Sequence, residues 1–369
     1  MRYLIYIAIF LILGGCQSET ASTSSPQTQA ADTIKLQLAQ EFNIKTIENG
    51  QYLVEIGEQR FCLYPRTLKI SKRLENYQYL PYPLKRVVCK SSAAWAMIEL
   101  LSEHESVVGI SDTRDFYSPY IHKTNKNLPE LGREQLNYEA LLLLSPELVI
   151  GYGAKADPKL ADLNIPELRL REYAEASPLA QMEWIRLFGL LFEKDEMAQD
   201  FVNERFAAYK ELKQLAQKAQ TQPSVLLGCQ FGGGWYLAGG KSFMAQFLAD
   251  AQTNYLWKNK QGKEGFPLDF EAVLAKGQKA DYWLNLGSFN SYKELAASNP
   301  RYALFEAFQQ KKIYHYNHRR FNLDGGYDFF ESGIIYPDRV LGDLIHIFHP
   351  ELLPNWQLHY YYNWADDAF

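Results

Sequence analysis

Two glutamates occupy matched positions in a stretch that the chain uses twice. The first copy runs Gln135-Leu-Asn-Tyr-Glu139 into Ala140-Leu-Leu-Leu-Leu, a Ser-Pro break and the apolar strand Leu148 to Ile150. The second runs Pro267-Leu-Asp-Phe-Glu271 into Ala272-Val-Leu, a polar break and the apolar strand Tyr282 to Leu286. Each copy sets an aromatic residue and then Glu-Ala at the start of a short helix, where a carboxylate suits the positive end of the helix dipole. Either glutamate alone reads as a helix charge. Two in matched positions, one per half of the chain, read as a pair with a shared role. Arg114, Arg319 and Arg320 lie in loops beside aromatic residues and offer guanidinium groups to anions. Trp95, Tyr152, Phe231, Trp235, Tyr236, Phe289 and Tyr327 lie in or beside loops that follow predicted strands. They could cover apolar or aromatic surface of a bulky ligand. No nucleophile, base and orienting group stand together, so the sequence offers no enzyme chemistry. The histidine pairs His315/His318 and His346/His349 do not make a three-histidine cluster for bare zinc or manganese. That set excludes a resident metal, implies no cofactor, and favours a chelated cargo over a naked ion.

The chain has 369 residues, room for two ordinary domains, and a net charge of −5 without a basic block, which excludes nucleic acid as the expected partner. It carries 25 Tyr, 21 Phe and 7 Trp, more than a core alone demands. The N-terminus begins with Met1-Arg2 and an apolar run from Tyr3 to Leu13, and closes with Leu13-Gly-Gly-Cys16. The run is short for a membrane span. It resembles a lipoprotein signal peptide, so Cys16 is expected to be lipidated and to anchor the exported chain to a bacterial membrane, facing the periplasm. Cys62, Cys89 and Cys229 are too few and too scattered for a disulfide framework, and Cys89 and Cys229, each at the end of a predicted strand, read as buried free thiols.

These residues need elements to position them. Residues 17 to 32, rich in Ser, Thr, Gln and Ala, read as a flexible tether. Alternating runs between 33 and 68 predict a small β-hairpin extension. Arg86 to Cys89, Val107 to Ile110 and Leu148 to Ile150 alternate with helical patterns, as in a parallel sheet. Ligands then sit beyond the carboxyl ends of strands, at loops 90–95, 111–117 and 151–155. Leu179, Met182, Ile185, Phe188 and Phe192 give a helix starting at Ser177-Pro178 an apolar face. A second helix from Asp195 to Gln220 would span roughly 35 to 40 Å and could join two lobes as a spine. Strands restart at Ser224 to Leu227. The glycines from Gly228 to Gly240 suggest a loop whose backbone approaches a bulky ligand. Gly239-Gly-Lys-Ser242 is not a phosphate loop, because Trp235 stands where its first glycine is required.

The ordered set resembles the iron-siderophore, haem and cobalamin class of ABC-transporter substrate-binding proteins over roughly Lys85 to Leu353. It rests on the cysteine at 16, Arg86-Val-Val, Val108-Gly-Ile-Ser-Asp112, Tyr138-Glu139 through Ile150, Glu175-Ala-Ser-Pro-Leu179, Asp269-Phe-Glu271, Glu331-Ser-Gly333 and Phe348-His-Pro-Glu-Leu-Leu353. The resemblance implies an α/β fold of two lobes with parallel-type sheets flanked by helices, bridged by one long helix, with the small β extension added in front. It gives a signal peptide at 1–15, a lipidated tether at 16–32, the extension at 33–84 and an N-terminal lobe at 85–176. A helical region follows at 177–220, then a C-terminal lobe at 221–353 and an aromatic tail at 354–369. It further implies a monomer that binds a metal chelate in the cleft and docks through Glu139 and Glu271 onto arginines of an ABC permease served by its ATPase. A surface lipoprotein that captures ligand without such a partner, or an enzyme on the same scaffold, would share this fold.

Overall fold

Alternation of apolar and polar residues builds the first sheet. In the computed structural model, which describes residues 34–123, 128–133, 135–287, 289–321 and 325–364, β1 (Asn43–Thr46), β2 (Tyr52–Ile56) and β3 (Gln59–Pro65) pair antiparallel, and β4 (Gln78–Tyr82) adds parallel to β3. The expected hairpin is therefore a four-stranded sheet. Val54, Ile56, Phe61, Leu63 and Leu80 turn inward and join the core of the adjacent lobe. The leader, Cys16 and the tether lie outside the described residues.

Two parallel sheets carry the lobes, and their strand orders match. In the first, β5 (Val87–Cys89), β6 (Val107–Ile110), β7 (Leu148–Tyr152) and β8 (Glu167–Leu170) stand in the order β6-β5-β7-β8. In the second, β9 (Ser224–Leu227), β12 (Asn254–Tyr255), β14 (Tyr282–Leu284) and β15 (Ile313–His315) stand in the order β12-β9-β14-β15. Each is a second-first-third-fourth arrangement, and in each the glutamate-bearing helix leads into the third strand. The sequence repeat thus reports a repeated fold, and the two-lobed α/β expectation holds. β8 was not anticipated, because Glu167-Leu-Arg-Leu170 is a short alternating run with only Leu168 and Leu170 buried.

Part of the glycine-rich segment is a hairpin. β10 (Gln230–Phe231) and β11 (Gly234–Leu237) form a hairpin, and β13 (Phe266–Leu268) extends it. Gly232 and Gly233 make its two-residue turn with φ of 56° and 89°, the geometry glycine supplies at least cost. The aromatic tail is also built in. β16 (Tyr362–Asn363) pairs antiparallel with β15, and Tyr360, Tyr361 and Trp364 are buried in the second core.

The spine is the helix Asp195–Ala216, 22 residues and about 33 Å long. It ends before Gln220. It contributes Ala198 and Val202 to the first core and Tyr209 and Ala216 to the second. Arg205 Nη1 donates to Asp338 Oδ2 at 2.8 Å, tying the spine to the closing helix Pro337–Phe348. The preceding helix expected from Ser177 is broken into Pro178–Met182 and Ile185–Leu191. A second seam joins the lobes: Gly326 N–H donates to the Arg114 carbonyl at 2.8 Å, and Tyr117 N–H donates to Glu331 Oε2 at 2.8 Å.

Candidate functional site

A cavity of about 840 Å³ opens where strands of both lobes end. Arg171, Tyr173 and Ala174 follow β8, Leu227 and Gly228 close β9, Asn285 follows β14, and Tyr316 follows β15. This is the crevice that parallel sheets of this kind present to ligands. Aromatic side chains make much of the wall. Tyr316 stacks on Phe329 with ring centroids 4.3 Å apart and planes within 14°, and Phe330 stands edge-on to Tyr316 at 5.2 Å. Burial pushes the Tyr316 phenol well above its ordinary value, so it faces the cavity as a neutral hydroxyl. Asn285 is fixed from behind, its Oδ1 accepting from Tyr361 Oη at 2.9 Å.

Four charged residues line the cavity: Glu41, Arg171, Lys263 and Glu264. Glu41, from the strap ahead of β1, reaches the cavity wall and accepts from Arg171 Nη2 at 2.9 Å and Lys263 Nζ at 3.2 Å. Burial pushes the Glu41 carboxyl up, but hydrogen bonds from Arg171 and Lys263 outweigh it and hold it below the ordinary value. The strap is itself clasped. Backbone N–H groups of Leu38 and Ala39 donate to buried Glu183 at 2.7 and 2.8 Å, and those of Gln40 and Glu41 donate to Glu175 at 3.1 and 3.0 Å.

Of the ten residues expected to touch ligand, Tyr236 lines this cavity. Trp95 and Trp235 do not, because both are fully buried. The Trp95 indole donates to Glu99 Oε2 at 3.0 Å, and Trp235 lies on Trp283 with centroids 5.3 Å apart. Tyr152 and Phe231 do not line it either, and each is 72% exposed. Phe289 and Tyr327 pack against the second core. Arg114 is held by Asp112, with Nη2 to Oδ2 at 2.6 Å, and that guanidinium pulls the Asp112 carboxyl down to about 2. Arg319 is held by Asp328 at 2.6 Å and borders a smaller hollow of about 310 Å³, while Arg320 meets Asn290. None of the three arginines lines the main cavity. Among the described residues, Arg171 and Lys263 are the cations that line the cavity, and sequence reading missed both. The strand-end rule would have pointed to Arg171 had β8 been recognised.

Glu139 and Glu271 are both exposed, at the second position of the helices Tyr138–Leu144 and Phe270–Gly277. Asn137 and Asp269 cap those helices identically, each side chain accepting from the N–H three residues on. Neither glutamate lines the cavity. Glu271 pairs with Arg301 Nη2 at 2.8 Å. His315 is buried and stays neutral at neutral pH, since burial drives its imidazole down to about 3. Cys62, Cys89 and Cys229 are buried and unpaired.

The duplicated strand order, the spine and the cleft cavity have a match among known families: the periplasmic binding protein profile covers residues 87–319. The chain belongs to the periplasmic binding protein family. Its expected family membership therefore holds. An uncharacterized lipoprotein of Methanocaldococcus jannaschii is 22% identical over 402 residues, covering 97% of this chain and 94% of the relative. Among solved structures, an ABC-type Fe3+-hydroxamate transport protein of Saccharomonospora viridis superposes with a TM-score of 0.57 at 19% identity, over 72% of this chain and 94% of that one. A periplasmic haem-binding protein of Roseiflexus sp. RS-1 does so with a TM-score of 0.55 at 20% identity, over 73% and 99%.

Proposed function

We propose that this binding protein is the substrate-binding component of an ABC importer. It captures an iron-siderophore, haem or cobalamin-type chelate and delivers it to a membrane permease. The observation that carries the reading is the cavity: about 840 Å³, set between two lobes and walled by Tyr173, Tyr236, Phe243, Tyr316, Phe329 and Phe330. That volume suits a bulky ligand, and aromatic faces suit a flat or apolar one. The relatives named for Fe3+-hydroxamate transport and haem binding point to the same cargo class. The chain acts as a carrier rather than an enzyme. Lipidation at Cys16 keeps it at the membrane, a reading supported by the relative named a lipoprotein across nearly the whole chain.

The test is the absorption spectrum and mass of what co-purifies, followed by titration of the emptied protein with haemin, ferrioxamine B and cyanocobalamin. One of these should saturate at one equivalent and quench tryptophan fluorescence. Failure of all three, with nothing co-purifying, would overturn the chelate reading.

A further inference from the structure

Glu41 belongs to neither parallel sheet, yet its carboxylate is fixed in the wall of the cavity that both lobes form. Its Oε2 accepts from Arg171 at 2.9 Å (Nη2) and 3.2 Å (Nε), and its Oε1 accepts from Lys263 at 3.2 Å. A guanidinium fork and an ammonium converging on one carboxylate make an anion site by geometry and charge. Both cations are positioned from behind. Arg171 follows the last residue of β8, and Lys263 donates to the Ala174 carbonyl at 2.8 Å. The loop carrying Lys263 is pinned by Gly240 N–H to the Lys260 carbonyl and Lys241 N–H to the Gly262 carbonyl, both at 3.0 Å. Gly239 and Gly240 allow that approach, since a Cβ on either would lie within 2.5 Å of a carbonyl oxygen of this loop. The side chains of Arg171 and Lys263 stay about one-third exposed, within reach of a ligand.

The strap has no need of the Glu41 side chain for anchorage. Its backbone is already held by the Glu175 and Glu183 carboxylates. A partly solvated ion pair adds little stability beside that. We propose that Arg171 and Lys263 form an anion subsite, that Glu41 fills it in the empty protein, and that the cargo carries a carboxylate which takes Glu41's place. This inference deepens the chelate reading and rests on it for the rest of the ligand. Displacing an internal competitor lowers apparent affinity by the fraction of time the site is open. An anionic cargo therefore feels Glu41, and a cargo without an anion does not.

Benzoate is the first probe, because it tests the subsite without any chelate. The side-chain Nε–H resonance of Arg171 is followed by NMR in the purified protein. In Glu41→Gln it should shift saturably, with affinity roughly tenfold above wild type. Adding Arg171→Met to that variant should abolish saturation at the Lys263 ammonium. No saturable shift in Glu41→Gln, or equal affinity in wild type, overturns the subsite. Glu41→Ala repeats the test should the glutamine hold the cations by its own carbonyl. Protoporphyrin IX and its dimethyl ester form the second arm. Tighter binding of the acid, enhanced by Glu41→Gln while the ester is unmoved, supports the proposal. Equal binding of acid and ester in both proteins overturns it and leaves the chelate reading standing. Benzoate binding with neither porphyrin bound supports the subsite and counts against a porphyrin as cargo.

Discussion

The Glu183 carboxylate, wholly enclosed, accepts the backbone N–H of Ala39 at 2.8 Å. The two residues are 144 positions apart, and the bond closes the strap over the helical region before the spine. With Leu38 also donating, the carboxylate is surrounded by successive backbone donors, and charge-assisted bonds of this kind are among the stronger ones. Glu183→Gln turns an amide donor toward those N–H groups. It should cost about 2 to 3 kcal/mol in urea unfolding, and amide exchange at Leu38 and Ala39 should accelerate first. Wild-type stability with wild-type exchange at those amides would show that the strap is held elsewhere.

A second carboxyl bears on pH. Glu172 is 7% exposed, and its Oε2 has no hydrogen-bond partner among the described residues. Burial raises its carboxyl from 4.5 to about 7, against hydrogen bonds from its own N–H and that of Tyr173. Between those values the folded state keeps a proton that the unfolded chain has released. The Glu172 contribution to stability should therefore fall as pH rises from 4.5 to 7, by up to about 3 kcal/mol, and stay level above, while the buried neutral His315 acts in the opposite sense below 6.5. Glu172→Gln keeps the neutral shape and should remove that contribution, so the variant gains on wild type as pH rises, being the more stable protein at pH 8 and equal to wild type near pH 4. Parallel wild-type and variant curves from chemical unfolding across pH 4 to 8 would refute this.

What the sequence made legible was local and repeated. The glutamate helices, their caps and the strands after them are contiguous, so period and capping residues reveal them. The spine was visible in its apolar spacing, though its last turn was not. The cavity was largely hidden, because its walls are assembled by register and long-range contact. Trp235 and Tyr236 are adjacent aromatics, and only the pairing of Trp235 with Leu268 and Tyr236 with Pro267 sends one into the core and the other to the cavity. Arg114 looked available for a ligand, but Asp112 two residues earlier claims it, as an Asp-x-Arg turn allows. Glu41 and Lys263 meet across 222 positions, and nothing near either residue announces the other.

The last prediction separates delivery from capture alone. Glu139 and Glu271 hold the same helical position in lobes of the same strand order, both exposed and both away from the cavity wall. Leu142 and Leu143, 49% and 86% exposed on the Glu139 helix, add apolar surface to that face. If permease arginines grip the pair, Glu139→Arg and Glu271→Arg should leave ligand affinity unchanged and cut permease-dependent uptake by roughly tenfold or more, since like charges then face each other. Glu271 carries a complication of its own. Arg301 already holds it, and the guanidinium, with burial a minor opposing effect, keeps its carboxyl below the ordinary value. Docking must exchange Arg301 for a permease arginine, so Arg301→Gln should strengthen docking or leave it unchanged, whereas the glutamate reversals weaken it. Measuring ligand affinity beside uptake in all three variants decides the matter. Unimpaired uptake in both reversals removes the docking role, and lost ligand binding in either would place that glutamate in the ligand site instead.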